Sequence, residues 1–221
     1  MTASKKLVVL ISGRGSNMAA IVDACKQRKI NASVEAVISN KASAAGLDYA
    51  KNAGIDALVV DHKGYDSREA FDQALLDAVL KYQPDYVILA GFMRILTSVF
   101  VSPLLGKLVN IHPSLLPKYP GLNTHQRAVD AGDAEGGATV HFVTEELDGG
   151  PPIIQVRVPI LPEDDGDRLA DRVIQYEHEL YVEAIRQLCE GRLHFDADNR
   201  VTADGEPLPP TGLAYTPAPQ S

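Results

Sequence analysis

Hydrophobic positions along this chain fall into short continuous runs separated by stretches with helical spacing. Residues 6–12 ("KLVVLIS") form the first run. Residues 34–40 ("VEAVISN"), 55–60 ("IDALVV"), 85–91 ("DYVILAG") and 107–112 ("KLVNIH") follow. Runs this short, rich in Val, Ile and Leu and without polar alternation, predict strands buried on both faces. Between them, apolar residues recur at intervals of three and four. That spacing predicts a helix from Met18 to Lys29, a second over "SAAGLDYAKNAG" closed by Gly54, and a third over "DSREAFDQALLDAVLKY". Asp66 followed by Glu69 predicts a capping box at the start of the third helix. Regular alternation of strand and helix predicts an α/β fold with an open, doubly wound, mostly parallel sheet.

The pattern changes after residue 137. "GATVHFVTEELDGGPPIIQVRVPI" (137–160) predicts two strands about a turn at Asp148-Gly149-Gly150, a hairpin. Residues 167–190 read as one long amphipathic helix, and "RLHF" as a short strand. Residues 1–208 thus read as a single domain. The Pro-rich end, 209–221, predicts a loose tail.

Composition narrows the class. Acidic residues outnumber basic ones by 29 to 21, a net charge of −8, so the basic footprint of a nucleic-acid binder is missing. No apolar run approaches the roughly 20 residues of a membrane-spanning helix. The N-terminal run is too short for a signal peptide, so a cytoplasmic protein without membrane association is expected. Cys25 lies on the stripe Met18, Ile21, Val22. It and Cys189 read as buried small hydrophobes rather than a disulfide.

The first chemical candidate is "LVNIHPSLLPKYPGL" (108–122). Side chains alternate along a strand, so Asn110 and His112 share a face, and Pro113 ends the ladder. A histidine for proton transfer beside an amide donor for a developing oxyanion suits group transfer; a capped strand end with a structural histidine fits as well. Ser114 lacks the G-x-S-x-G surroundings of a nucleophile. The second candidate is "SGRGSN" (12–17). Glycines let the backbone turn sharply, and a helix start favours an anion. Met18 replaces the third glycine of a dinucleotide fingerprint and no G-K-[ST] follows, so a single phosphate is the expected ligand if this is more than a tight turn. The third is Asp148, before two glycines: a turn residue, or a carboxylate able to favour a charged histidine. His141 lies on the Thr139 face of its strand and either borders the site or is a satisfied core histidine. No histidine shows metal-ligand spacing, so no metal is expected.

Together these segments resemble a known family. "VLISGRGSN", "ISNK", "LAGFMRIL", "VNIHPSLLPKYPGL" and "VHFVTEELDGGPPIIQ" occur in the order and approximate spacing of glycinamide ribonucleotide formyltransferases, the folate-dependent enzymes of purine synthesis. The likeness runs from about Lys6 to about Pro210. It implies direct formyl transfer, through a tetrahedral intermediate, from 10-formyltetrahydrofolate to the amine of 5-phosphoribosylglycinamide. By the same resemblance Asn110, His112 and Asp148 are catalytic. Gly15, Ser16 and Asn17 hold the substrate phosphate, and Glu177 the ribose. Arg68, Met93, Arg94, Ile95 and Leu96 bind the folate, with Asn110. The segment Thr144, Glu145, Glu146, Leu147 and Asp148 completes that side. Asn123 stands where many relatives carry a second histidine. Rival readings are a 10-formyltetrahydrofolate hydrolase and a non-catalytic nucleotide- or folate-binding module. A homodimer is left open.

Overall fold

The computed structural model describes residues 3–217. Among the described residues its core is an eight-stranded sheet. In chain order the strands are β1 (Lys5–Ile11), β2 (Ala32–Ser39), β3 (Asp56–Val59), β4 (Tyr86–Leu89), β5 (Leu108–His112), β6 (Glu135–Phe142), β7 (Pro152–Pro159) and a late strand, Leu213–Tyr215. Across the sheet they run Leu213–Tyr215, β7, β6, β5, β4, β1, β2, β3. Strands β1 to β5 are mutually parallel, and β6 is antiparallel to both of its neighbours. The expected doubly wound α/β architecture with a hairpin is therefore the observed one.

Burial on both faces explains the strand composition. Leu7, Val9 and Ile11 of β1 enter one core, while Val8 and Leu10 enter the other. The first core is roofed by α1 (Ser16–Lys26) and by α6 (Gly166–Cys189), the second by α3 (Arg68–Leu80) and α4 (Ser98–Val101). The remaining helices are α2 (Gly46–Asn52) and α5 (Thr124–Asp130). Tyr181 of α6 is fully buried, and its hydroxyl donates to the carbonyls of Leu89 (2.9 Å) and Val109 (3.0 Å). The one hydroxyl proton, shared between the two carbonyls and worth about 1 kcal/mol, pins the long helix over β4 and β5. Among the described residues no helix is long and apolar enough to cross a membrane.

Several boundaries differ from the sequence reading. Helix α1 starts earlier and ends at Lys26, because Arg28 adopts a left-handed conformation (φ 59°) that closes the helix. The cap of α3 is Ser67, not Asp66. Ser67 has the extended backbone of a cap, and its hydroxyl accepts from the amide of Ala70 at 3.1 Å. The segment 209–221 is not wholly loose: Leu213–Tyr215 forms β11, parallel to Ile154–Val156 on the sheet edge. The Tyr215 hydroxyl then donates to Glu179 at 3.0 Å. Residues 218–221 of that segment lie outside the described residues. A separate three-stranded sheet of β8 (Leu193–Phe195), β9 (Val201–Ala203) and β10 (Glu206–Pro207) precedes it. Cys25 is half-buried rather than buried, Cys189 is buried, and both thiols are free. Burial pushes them up to about 11 and about 12, which keeps them protonated and unreactive at neutral pH.

Candidate active site

Strand order reverses direction beside β1, whose neighbours are β2 and β4. Open α/β sheets bind ligands beyond the carboxyl ends of their strands at such a point. A cleft of about 540 Å³ lies on the β4–β5 side of that point, lined by the ends of β4 and β5 and by the loops that follow them. It gathers Asn110, His112, Asp148 and His141 with Arg68, the segment 91–96 and the segment 143–148. The apolar side chains at its rim are unusually open: Met93 is 74% exposed and Leu122 81%. Large apolar side chains left open around one cleft suit a ligand site.

Asn110 and His112 point to one side of β5, as their alternation predicts. His141 sits opposite Asn110 on β6. It is 1% exposed, and its Nδ1 donates to the Phe142 carbonyl at 2.8 Å. Burial pushes the imidazole down to about 4, outweighing the opposing pull of the Phe142 bond and of Asp148. His141 is thus neutral at pH 7, with Nε2 as an acceptor. Asn110 Nδ2 donates to it at 3.2 Å. That bond fixes which way the amide faces and leaves its second N–H for the cleft. The 3.9 Å approach of His141 Nε2 to Asp148 Oδ1 is accordingly not an ion pair.

His112 is 5% exposed. Its Nε2 donates to the Tyr119 carbonyl at 2.9 Å, and its Nδ1 lies 3.5 Å from Asp148 Oδ2. A carbonyl can only accept, so Nε2 carries its proton, and Asp148 is the acidic group that faces Nδ1. Asp148 has a left-handed backbone (φ 51°) and accepts from the amide of Gly121 at 2.9 Å. The turn beneath it is closely packed: a Cβ at Gly150 would strike the Phe142 carbonyl.

The loop after β5 is built into the hairpin. Thr139, buried on β6, donates to the Ser114 carbonyl (2.6 Å) and accepts from Leu116 N (3.1 Å). Gln155 of β7 donates to the Leu116 carbonyl at 2.7 Å. The Ser114 hydroxyl is committed to the Lys118 carbonyl at 2.7 Å, away from His112. Farther along, Tyr119, Gly121 and Asn123 all have positive φ (57°, 83° and 55°). For a tyrosine that conformation costs roughly 1–3 kcal/mol and persists only where surrounding contacts impose it.

The remaining candidates divide into two groups. Arg68 and Met93, Arg94, Ile95 and Leu96 line the cleft, as do Thr144 to Asp148. Arg94 also lies 5.1 Å over the Phe71 ring, and Glu145 accepts from Ser102 at 2.6 Å. Buried Asp72 of α3 accepts from Thr97 N at 2.5 Å and holds the end of the 91–97 loop. Gly15, Ser16, Asn17 and Glu177 are not part of the cleft lining. Gly15 (φ 74°) is the cap residue of α1, which has no side-chain cap among the described residues. Asn17 Nδ2 reaches Glu177 Oε2 across 3.4 Å, while its buried Oδ1 has no partner. Burial pushes the Glu177 carboxyl up, against the Asn17 bond and the nearby His178. The two groups are joined by Ser12, whose amide donates to the Gly91 carbonyl (3.1 Å) and whose hydroxyl accepts from Met93 N (2.8 Å).

Comparison with known proteins matches this arrangement to one family. The profile described as "Formyl transferase" matches residues 5–185. The chain belongs to the formyl transferase family. It is 52% identical over 208 residues to phosphoribosylglycinamide formyltransferase of Escherichia coli (strain K12), covering 94% of this chain and 98% of that protein. It is 48% identical over 189 residues to the trifunctional purine biosynthetic protein adenosine-3 of Drosophila melanogaster, covering 85% of this chain but 14% of that one. The solved structure of phosphoribosylglycinamide formyltransferase from Coxiella burnetii superposes with a TM-score of 0.90 at 45% identity, covering 96% of this chain and 99% of that one.

Proposed function

We propose that this protein transfers the formyl group of 10-formyltetrahydrofolate to the amine of 5-phosphoribosylglycinamide, in purine synthesis in the cytoplasm. In that reaction a bond forms between the amine nitrogen and the formyl carbon. The bond from that carbon to the folate N10 breaks, and one proton passes from the amine to the folate nitrogen. The observation that carries the reading is the placement of Asn110, His112 and Asp148 at one end of a 540 Å³ cleft. The family relationship adds to it.

The residues suit these tasks. The second N–H of Asn110 faces the cleft, and the Nδ1–H of His112, only loosely matched to Asp148 at 3.5 Å, is the other donor to negative charge on the formyl oxygen. Each such donor contributes about 3 kcal/mol in comparable sites. Asp148 orients His112 from 3.5 Å, and its carboxylate stands ready to relay the amine proton through a water. The apolar walls at Met93, Ile95, Leu96 and Val143 suit a flat heterocycle, and Arg68 at the rim suits an acidic tail. The start of α1, with Gly15, Ser16 and Asn17, suits the phosphate. Glu177 suits ribose hydroxyls, with Asn17 beside it.

The test supplies a 10-formylfolate donor with phosphoribosylglycinamide, methionyl-tRNA or water as acceptor. Rapid transfer to phosphoribosylglycinamide alone is expected. Equal donor consumption without it would make the protein a hydrolase, and no consumption would make it a binding module.

A further inference from the structure

The roles assigned above leave out Arg127, which lies on the exposed face of α5. We propose that Arg127 is a positioning residue that sets the geometry of the His112–Asp148 pair. The proposal rests on the reading of that pair given under Proposed function.

One short segment contacts both members of the pair through its backbone. The Tyr119 carbonyl accepts from His112, and two residues later the Gly121 amide donates to Asp148. Any shift of 119–121 therefore moves both contacts together. Local preference does not hold the segment, because Tyr119 takes a left-handed conformation that a bulky side chain disfavours. Arg127 supplies what local preference does not. Its Nη1 donates to the Pro120 carbonyl at 2.7 Å and lies 3.3 Å from the Leu122 carbonyl. These carbonyls flank Gly121, so the residue that holds Asp148 is clamped from both sides. The guanidinium also lies 5.1 Å over the Tyr119 ring, whose hydroxyl is tied to Asp133 at 2.9 Å. A planar group that donates in its plane and stacks by its face does both jobs at once; a lysine cannot. The inward side chains of α5 are Thr124 and Ala128, so trimming Arg127 opens no core cavity.

The experiment compares Arg127→Ala, Arg127→Lys and His112→Ala in the full chain. It measures single-turnover formyl transfer and the Kd of phosphoribosylglycinamide and of an unreactive 10-formylfolate analogue. Misplacing reacting groups by about 1 Å costs on the order of a hundredfold. Arg127→Ala is therefore expected to slow single turnover by roughly tenfold to a hundredfold, with both Kd values changing by less than about threefold. Methylguanidinium in the buffer should restore part of the rate, and Arg127→Lys should lie between. Parental rate in Arg127→Ala, beside a slow His112→Ala, would overturn the role of Arg127 alone. So would a rate loss matched by weaker binding of both ligands and not rescued by methylguanidinium, which marks a merely structural role. Parental rate in His112→Ala would remove the pair itself, and this proposal with it.

Discussion

Two loops of this molecule follow parallel strands and are built from opposite materials. The loop after β1 is short and glycine-rich and runs straight into the start of a helix, where the proposed function seats the phosphate. The loop after β5 is long and proline-rich. It is fastened by Thr139, Gln155, Arg127 and Asp133, and it presents a carbonyl to His112 and an amide to Asp148. Holding a phosphate needs only backbone dipoles at a helix end, and any residues that permit the turn suffice. Group transfer needs donors placed to a fraction of an ångström, and that placement is imposed by a network. Under the proposed function the contrast separates the two loops by what they are expected to govern: binding for the first, rate for the second.

The largest expected effect lies in the second loop's network. Asp148→Asn keeps an acceptor for Gly121 but removes the charge beside His112. Single-turnover transfer should fall by roughly a hundredfold or more, with little change in either Kd. In the first loop, Asn17→Ala should weaken phosphoribosylglycinamide binding by about tenfold while leaving the folate analogue unaffected; titration calorimetry with each ligand reads this. Arg68→Ala should lower affinity for folate analogues by several-fold only when the glutamate carboxylates are present, since a half-exposed ion pair contributes about 1 kcal/mol. Equal loss with and without the carboxylates would remove Arg68 from the tail site.

The smallest effect is a stability difference. Burial raises the Glu177 carboxyl above its ordinary value of 4.5. A raised carboxyl contributes stability that is fully present below the unfolded value and is lost as pH rises through the folded one. Glu177→Gln keeps the neutral shape, so its Tm should gain on the parent as pH climbs through that window and hold the gain above it. Nucleotide binding should weaken in the same variant. A constant Tm difference from pH 4 to pH 8 would show that Glu177 is not held against its charge.

Much of this was legible in the sequence because it is written in side-chain type and period. The continuous strands follow from unbroken apolar runs, the hairpin from strand patterning about a turn, and the shared face of Asn110 and His112 from alternation. The family resemblance, too, rests on the motifs at strand ends. What escaped was set by tertiary pairing or by the backbone. Ser67 caps α3 although Asp66 and Glu69 have the spacing of a capping box, since the choice depends on which residue is extended. Strand β11 is three residues long, and only the open edge of β7 makes it a strand. The Tyr119 carbonyl and the Gly121 amide carry no residue-type signal, although they contact His112 and Asp148. Arg127 looks like any helix-surface arginine until its fold-back onto two carbonyls is seen.

The central claim is that the two loops govern different quantities. Its most direct test measures, side by side in Asp148→Asn and Asn17→Ala, the single-turnover rate at saturating substrates and the Kd of phosphoribosylglycinamide. The account predicts a crossed result: Asp148→Asn loses rate and keeps affinity, while Asn17→Ala loses affinity and keeps rate. Both variants losing the same quantity in the same proportion would contradict it.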